Sequence, residues 1–278
     1  MRTVTTLALL FAAAISVAQQ DADSRAMNQP VAPFRIAGNL YYIGASDVTS
    51  YLVVTPKGLI VIDGGFVETA PMIRANIAKL GFRLADVRIL LNTHAHCDHA
   101  GGIAALKEQT DAAFLASDGD APLLERGGKD DPQFGNRFSF PPIKPDRLLR
   151  NGDRVKLGGS TLTAVITPGH TPGCTTWTMT LTEQGKPLHV VIVGSPSFPG
   201  YKFNNNIIND YRTTFARLES LRCDIFLVSH GSFFHLRDKM ARIGKGPNPF
   251  VDPAGYRQFV ASWHRQFEEE VRGQQAAR

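Results

Sequence analysis

The run Thr93-His94-Ala95-His96-Cys97-Asp98-His99-Ala100-Gly101-Gly102 places three imidazoles and a carboxylate within six residues, where the apolar stretch Val87 to Leu91 gives way to a helix-like one. Imidazole nitrogen is a borderline ligand suited to Zn²⁺, and a carboxylate adds charge and a second ligand type. The cluster therefore points to a catalytic metal site rather than a closed structural one. In an extended segment His94, His96 and Asp98 point one way while Ala95 and Cys97 point the other, so His94 and His96 can share one metal. Asp98 and His99 are adjacent and diverge, so at least one of them can address a second ion about 3.5–4 Å from the first. A zinc takes about four ligands, and the run alone cannot surround two ions. Whatever the chain folds into must bring further donors to this loop.

Two further histidines have the right context. His170 lies in the turn Thr167-Pro168-Gly169-His170-Thr171-Pro172-Gly173, directly after the β-rich run Thr161 to Ile166. His230 lies in Ser229-His230-Gly231, after the apolar run Ile225 to Val228. Three histidine-bearing segments that each follow a strand can converge on one sheet edge. His189, His235 and His264 lack such contexts and read as structural or surface residues, although His235 follows Phe233 and Phe234 just beyond His230 and is a candidate for the substrate mouth.

The combination His-x-His-x-Asp-His, Pro-Gly-His-Thr-Pro-Gly and a late Ser-His-Gly resembles the metallo-β-lactamase superfamily over about residues 36 to 260. Within it, Gly127 to Gly135, Pro141 to Arg147 and Ser195 to Tyr201 are similar to the third subclass of class B β-lactamases. The resemblance implies an α/β chain folded as an αβ/βα four-layer sandwich, two central mixed sheets flanked by helices, with zinc at one edge. It assigns His94, His96 and His170 to a first zinc and Asp98, His99 and His230 to a second, two Zn²⁺ per chain. Asp63, in Val61-Ile62-Asp63-Gly64-Gly65, matches an earlier acidic motif and would orient ligands without binding metal, or would simply cap a strand end.

Other branches of that superfamily carry a metal-bridging aspartate in a Gly-Asp-Thr motif after the third histidine, where this chain reads Val193-Gly194-Ser195-Pro196. The resemblance makes Ser195 and Ser197 candidates for holding a substrate carboxylate. Related enzymes commonly have an acidic residue at Gly194, whose absence here is expected to loosen the loop, and an apolar or aromatic residue at Cys97, which alternation directs away from His96 and Asp98 as a buried thiol.

The function implied is a secreted β-lactamase in which a metal-bound hydroxide opens the ring amide of penicillins, cephalosporins and carbapenems, conferring antibiotic resistance. Asp98 would orient the hydroxide, and the chain offers no Ser-x-x-Lys pair of the kind serine β-lactamases use. A related zinc hydrolase acting on lactones or thioesters is the alternative, against which Ser195 weighs. A zinc-dependent binding protein would instead require closed four-ligand sites.

The N-terminus reads as a secretory signal peptide, Met1 to Ala18, with Arg2 as its positive start, the apolar run Leu7 to Val17, and Ser16-Val17-Ala18 before the cleavage point. Residues 19–278 then form a single domain exported to the periplasm, a size and hydrophobic content (43%) suited to one core. The net charge of +5 falls by one without the leader, and its basic residues are scattered, so no nucleic-acid partner is implied. No stretch approaches the ~20 apolar residues of a membrane span. A monomer acting on a small molecule is expected. Three cysteines, Cys97, Cys174 and Cys223, form no disulfide framework, although a pair is possible.

Patterning places strands near 34–43, 50–55, 58–63, 87–91, 113–116, 154–157, 161–166, 175–181, 188–193 and 225–228. Helices are expected near 69–80, 101–109, 211–220 and 253–272. Residues 118–147, rich in Gly, Pro and Asp, read as a functional irregular loop with Phe134, Phe138 and Phe140 facing a substrate.

Overall fold

A computed structural model describes residues 22–277; the expected leader Met1 to Ala18 lies outside the described residues. The chain forms two mixed sheets. Strands β1 (Phe34–Ala37), β2 (Leu40–Tyr42), β3 (Tyr51–Thr55), β4 (Gly58–Ile62), β5 (Val87–Leu91), β6 (Ala113–Ser117) and β7 (Arg147–Leu149) lie in sequence order in the first. It is antiparallel from β1 to β4 and parallel from β4 to β7. The second runs β12-β11-β10-β9-β8, from Ile225–Val228 through Lys186–Val193, Thr175–Glu183 and Ser160–Ile166 to Arg154–Leu157. Only its β11/β12 pair is parallel.

Strand periodicity builds the layers. On β4, Ile60 and Ile62 face the core shared with the second sheet, where they join Trp177, Val191 and Val193, while Leu59 and Val61 face the opposite side. There they meet Ile73 and Ile77 of helix α1 (Ala70–Lys79). Leu91 and Leu90 divide in the same way on β5, as do Leu115 and Phe114 on β6. Because successive side chains point to opposite faces, apolar residues at consecutive positions of these strands force cover on both sides. The second sheet is covered by the long helices Asn205–Ser220 and Pro253–Ala276, whose Phe215 and Phe267 rings meet tilted at 5.5 Å. The expected four-layer sandwich is what forms.

The chain ends of strands meet at one edge. The loop after β5 enters the helical turn α2 (Cys97–Ala100) and then α3 (Ile103–Glu108). Two hydrogen bonds stitch that loop to the second sheet: Thr175 N donates to Thr93 O (2.7 Å), and the buried Trp177 indole donates to Asn92 O (3.1 Å).

Several boundaries differ from the sequence reading. The strand expected over 34–43 is a hairpin, because Gly38 takes a positive φ of 50° and turns the chain between β1 and β2. The irregular loop contains a helical turn, α4 (Ala121–Glu125), with proline in its first turn. Helix α5 (Asn205–Ser220) begins six residues before the expected Tyr211, since Asn204 caps it by accepting from Ile207 N at 3.0 Å. A short helix, α6 (Leu236–Ala241), was not expected, and α7 (Pro253–Ala276) runs on past Arg272.

Gly64 and Gly102 allow the loop after β4 to lie against the start of α3: a Cβ on Gly102 would overlap the Gly64 carbonyl oxygen, which is backbone and cannot swing aside. Gly102→Ala is expected to lower stability by about 3 kcal/mol, the upper part of the overpacking range. Urea unfolding of the metal-free protein checks this, with Gly273→Ala as the control for a glycine in open space and ordinary backbone conformation.

Candidate metal centre

His94 and His96 extend from the loop after β5, and His170 from the turn between β9 and β10; all three are buried. One ligand nitrogen from each lies within 4.8 Å of the others, and Nδ1 of His96 is 3.1 Å from Nε2 of His170. The other ring nitrogens are taken up by the protein. Thr93 Oγ1 lies 3.1 Å from His94 Nδ1, and His170 Nδ1 donates to Ser197 O at 2.8 Å. Tyr201 stacks parallel to the His170 ring (5.9 Å, 9°) and donates to its backbone carbonyl at 2.8 Å.

Asp98 and His99 on α2 meet His230, which follows β12, beside this trio. Asp98 Oδ2 is 3.4 Å from both His99 Nε2 and His230 Nε2, and those nitrogens are 3.2 Å apart. The two trios adjoin, with the His94 and His99 rings 4.1 Å apart. Six donors thus form two clusters of three, side by side and short of a closed shell. Imidazoles and a carboxylate crowded this closely fit a borderline divalent cation, usually zinc.

Four further carboxylates hold this arrangement. Asp63, at the end of β4 with φ 64°, tilts its carboxylate back to accept from Thr93 N (2.6 Å), Thr93 Oγ1 (2.6 Å) and Asn92 Nδ2 (3.2 Å). A left-handed conformation is tolerated by Asp better than by most side chains. Its Oδ2 also lies 3.3 Å from His99 Nδ1, so Asp63 ends the strand and braces a donor at once. Asp120 accepts from Ala95 N (2.9 Å), Thr171 Oγ1 (2.8 Å) and Gly173 N (2.7 Å), tying the His94/His96 loop to the His170 turn. Asp47 Oδ2 lies 3.0 Å from His230 Nδ1, and Asp131 Oδ2 lies 3.3 Å from His96 Nε2. At Asp131 and Asp63 the carboxylate lies close without an aligned hydrogen bond, which leaves His96 Nε2 and His99 Nδ1 buried without one.

The sequence reading missed Asp47, Asp120, Asp131 and Tyr201. Asp131 and Tyr201 lie in segments that carried the resemblance, but nothing in the letters around Asp47 or Asp120 marks them, since their partners come from distant strands.

Charge divides the cluster. Burial, and then the neighbouring His99, His170 and His96, hold the His94 pKa well below the usual imidazole value; burial and His96 do the same for His170. Burial would raise Asp98, but the charge of His99 and hydrogen bonds from His230 and His99 outweigh it and hold the carboxyl well below its usual range. Burial likewise opposes a charged His99, and Asp98 and Asp63 overcome it to raise that imidazole to about 10. These shifts favour neutral His94 and His170 and an Asp98 carboxylate paired with a charged His99.

Of the two expected carboxylate-binding serines, Ser197 lines a cavity of about 890 Å³ above the donors, together with Phe134, Phe138 and Phe140. Ser195 sits behind it, 2% exposed, its hydroxyl 3.0 Å from that of Ser197. A side chain at Gly194 would run into Cys174 Sγ and Thr175 O, so close packing leaves no room for the acidic residue of relatives. His235 is exposed, in a left-handed turn before α6, and takes no part in the cavity. His264 pairs with Glu219 on the surface, and His189 lies on β11 beside Thr180. All three cysteines are free, and Cys97 is partly exposed at the cavity wall rather than fully buried.

A family profile described as the metallo-beta-lactamase superfamily matches residues 43–181, half of the chain. Among solved structures, the FEZ-1 metallo-beta-lactamase of Legionella gormanii is 46% identical, with a TM-score of 0.87 over 90% of this chain and 98% of that one. BJP-1, a subclass B3 metallo-beta-lactamase of Bradyrhizobium japonicum, is 36% identical, with a TM-score of 0.85 over 90% and 97%. A hydroxyacylglutathione hydrolase of Rhodopseudomonas palustris is 35% identical over 104 residues, 37% of this chain and 32% of its own. The chain spans about a third of the length of the curated hydrolases it matches first, 37%, 32%, 41% and 33%.

Asp120→Ala would leave three buried donors unpaired, each costing about 1–3 kcal/mol. The expected result is a loss of at least about 3 kcal/mol, measured by urea unfolding without metal, and weaker zinc binding because both loops of the first trio are released.

Proposed function

Because the chain belongs to the metallo-β-lactamase superfamily, we propose that it is a di-zinc β-lactamase opening the ring amide of penicillins, cephalosporins and carbapenems. The observation that carries this reading is the pair of adjoining donor trios beside a neutral Ser195/Ser197 pair, in a chain 46% identical to a metallo-beta-lactamase across 98% of its length. Zinc held there supplies a Lewis acid for the amide carbonyl and lowers the pKa of a water to about 7, which removes the need for a strong protein base.

The chain's own groups do the rest. Asp98, the sole carboxylate among the six donors, has a depressed pKa that keeps it an acceptor, so it orients the attacking water by accepting its hydrogen bond. Ser197 Oγ, supported from behind by Ser195, is placed to donate to the substrate carboxylate. Phe134 packs on His96 (5.4 Å) and Tyr201 (5.6 Å) and, with Phe138, forms an apolar wall that screens the donors from bulk water and receives the lactam side chain. Asp63, Asp120 and Asp47 touch no substrate and act by holding the donors.

The proposal includes export to the periplasm after removal of a leader, a monomeric state, and a small β-lactam as partner without nucleic acid or membrane. Among the described residues no helix is long and apolar enough to cross a membrane. Hydrolysis of lactones or thioesters is the second reading, favoured by the match to hydroxyacylglutathione hydrolases; the neutral Ser195 weighs against it.

Purified mature protein is expected to open a penicillin and a carbapenem rapidly, to stop on chelation and to recover with zinc. Bound zinc with both rings intact would move the assignment to lactones and thioesters. Ser197→Ala is expected to raise KM about tenfold with kcat nearly kept, because a hydrogen bond to a charged group contributes about 1.5–3 kcal/mol; steady-state kinetics on a penicillin reads this.

A further inference from the structure

Of the second trio, only His230 takes its support from a segment outside the two sheets' interior. His99 is braced by Asp63 at the end of β4, and Asp98 stands on the same helical turn as His99. The His230 ring instead meets Asp47, in the loop between β2 and β3, at 3.0 Å. The same residue accepts from Ser232 N through Oδ1 (2.6 Å) and from Gly231 N through its carbonyl (2.7 Å), so it clasps the whole turn after β12.

The other side of that loop is held by the N-terminal stretch of the described chain. Met27 O accepts from Asp47 N (2.9 Å) and Val48 N (3.2 Å), and Gln29 O accepts from Ser46 N (2.9 Å). Ser46 Oγ donates to Ala26 O (2.8 Å) and accepts from Gln29 N (3.1 Å). Asn28 Oδ1 accepts from Thr69 Oγ1 at 2.7 Å, which anchors the stretch to the start of α1. Met27, Asn28 and Gln29 also line the cavity. Residues 26–29, the loop 45–48 and the turn 230–232 thus form one hydrogen-bonded chain ending on a donor nitrogen.

We propose that Asp47 is a positioning residue for the Asp98/His99/His230 subsite and that residues 26–29 act through it, so that seating of this stretch sets how tightly the second metal is held. The proposal rests on the two-metal reading above. A carboxylate on Nδ1–H fixes the tautomer that presents Nε2 to a metal, orients the ring and raises its basicity, and removing such a partner typically costs 10–100-fold in metal affinity. A loop braced from one side only would let the Asp47 carboxylate, and His230 with it, sample other orientations.

The test uses the full mature chain with Asp47→Ala, Asp47→Asn and Ser46→Ala. Zinc stoichiometry and affinity are read by competition with a chromophoric chelator, and melting of the metal-free proteins is read alongside. Two zincs on the wild type, a first zinc bound normally by every variant, and a second weakened about 10–100-fold by both Asp47 substitutions would bear the proposal out. Ser46→Ala, which removes the two side-chain hydrogen bonds to residues 26–29 and leaves the three backbone bonds from Ser46 N, Asp47 N and Val48 N, should weaken the second zinc in the same direction by less. Unchanged second-zinc affinity in both Asp47 variants overturns the proposal, and so does equal weakening of both zincs with a lowered metal-free melting point, which marks a general structural role. Loss in the Asp47 variants without loss in Ser46→Ala overturns the part played by the Ser46 hydroxyl in seating residues 26–29 against Asp47. A wild type that holds fewer than two zincs overturns the two-metal reading instead.

Discussion

Four buried imidazoles and a fifth, partly exposed one within a few ångströms of one another do not assemble by their own attraction. Without metal they repel when protonated, and burial removes the water that would screen them. The fold answers with oriented carboxylates. Asp63, Asp120, Asp131 and Asp47 each face a donor ring or the backbone of a donor loop, and most of their lone pairs are met by backbone N–H groups and threonine hydroxyls. Each carboxylate is hydrogen-bonded locally and still braces the site.

The two sheets make this possible because their strand ends meet at one edge. Parallel strands β4 to β7 and the parallel β11/β12 pair deliver their C-terminal ends to the same side of the molecule. Asp63, the β5 loop and His230 all leave from such ends, while His170 comes from the adjacent β9/β10 turn. The bonds from Thr175 and Trp177 to the β5 loop register one sheet against the other at that edge. A shift between the sheets would therefore disturb both trios.

The cavity above the donors has two kinds of wall. On one side Phe134 and Phe138, in a loop that packs on His96 and Tyr201, supply apolar contact without hydrogen-bond demands. On the other, residues 27–29 and Phe66 come from segments whose backbones also carry Asp47 and α1. Substrate contact and ligand support share the same residues there, which couples the shape of the mouth to the geometry of the second trio.

The donors were legible in the letters because metal chemistry restricts residue type and strand geometry restricts spacing: His94, His96, Asp98 and His99 are dense in sequence, and His170 and His230 follow apolar runs that end in turn residues. The strands 58–62 and 225–228 were legible for the same reason, since burial on both faces leaves an unbroken apolar run, and in 87–91 only the exposed Arg88 interrupts it. The residues that hold the donors were not. Asp47 meets His230 across 183 positions and Asp120 meets Gly173 across 53, and a lone aspartate in a loop carries no local mark of such a partner. Ser195 and Ser197 look equivalent in sequence, yet packing buries one behind the other, and Gly194 reads as a loss of charge until the contact with Cys174 shows that no side chain fits. The sequence by itself determined which atoms could bind metal and which strands would be buried, because both follow from residue type and short-range period. Only the tertiary structure decided which carboxylates hold those atoms and which serine faces the cavity, because both depend on contacts between segments far apart in the chain.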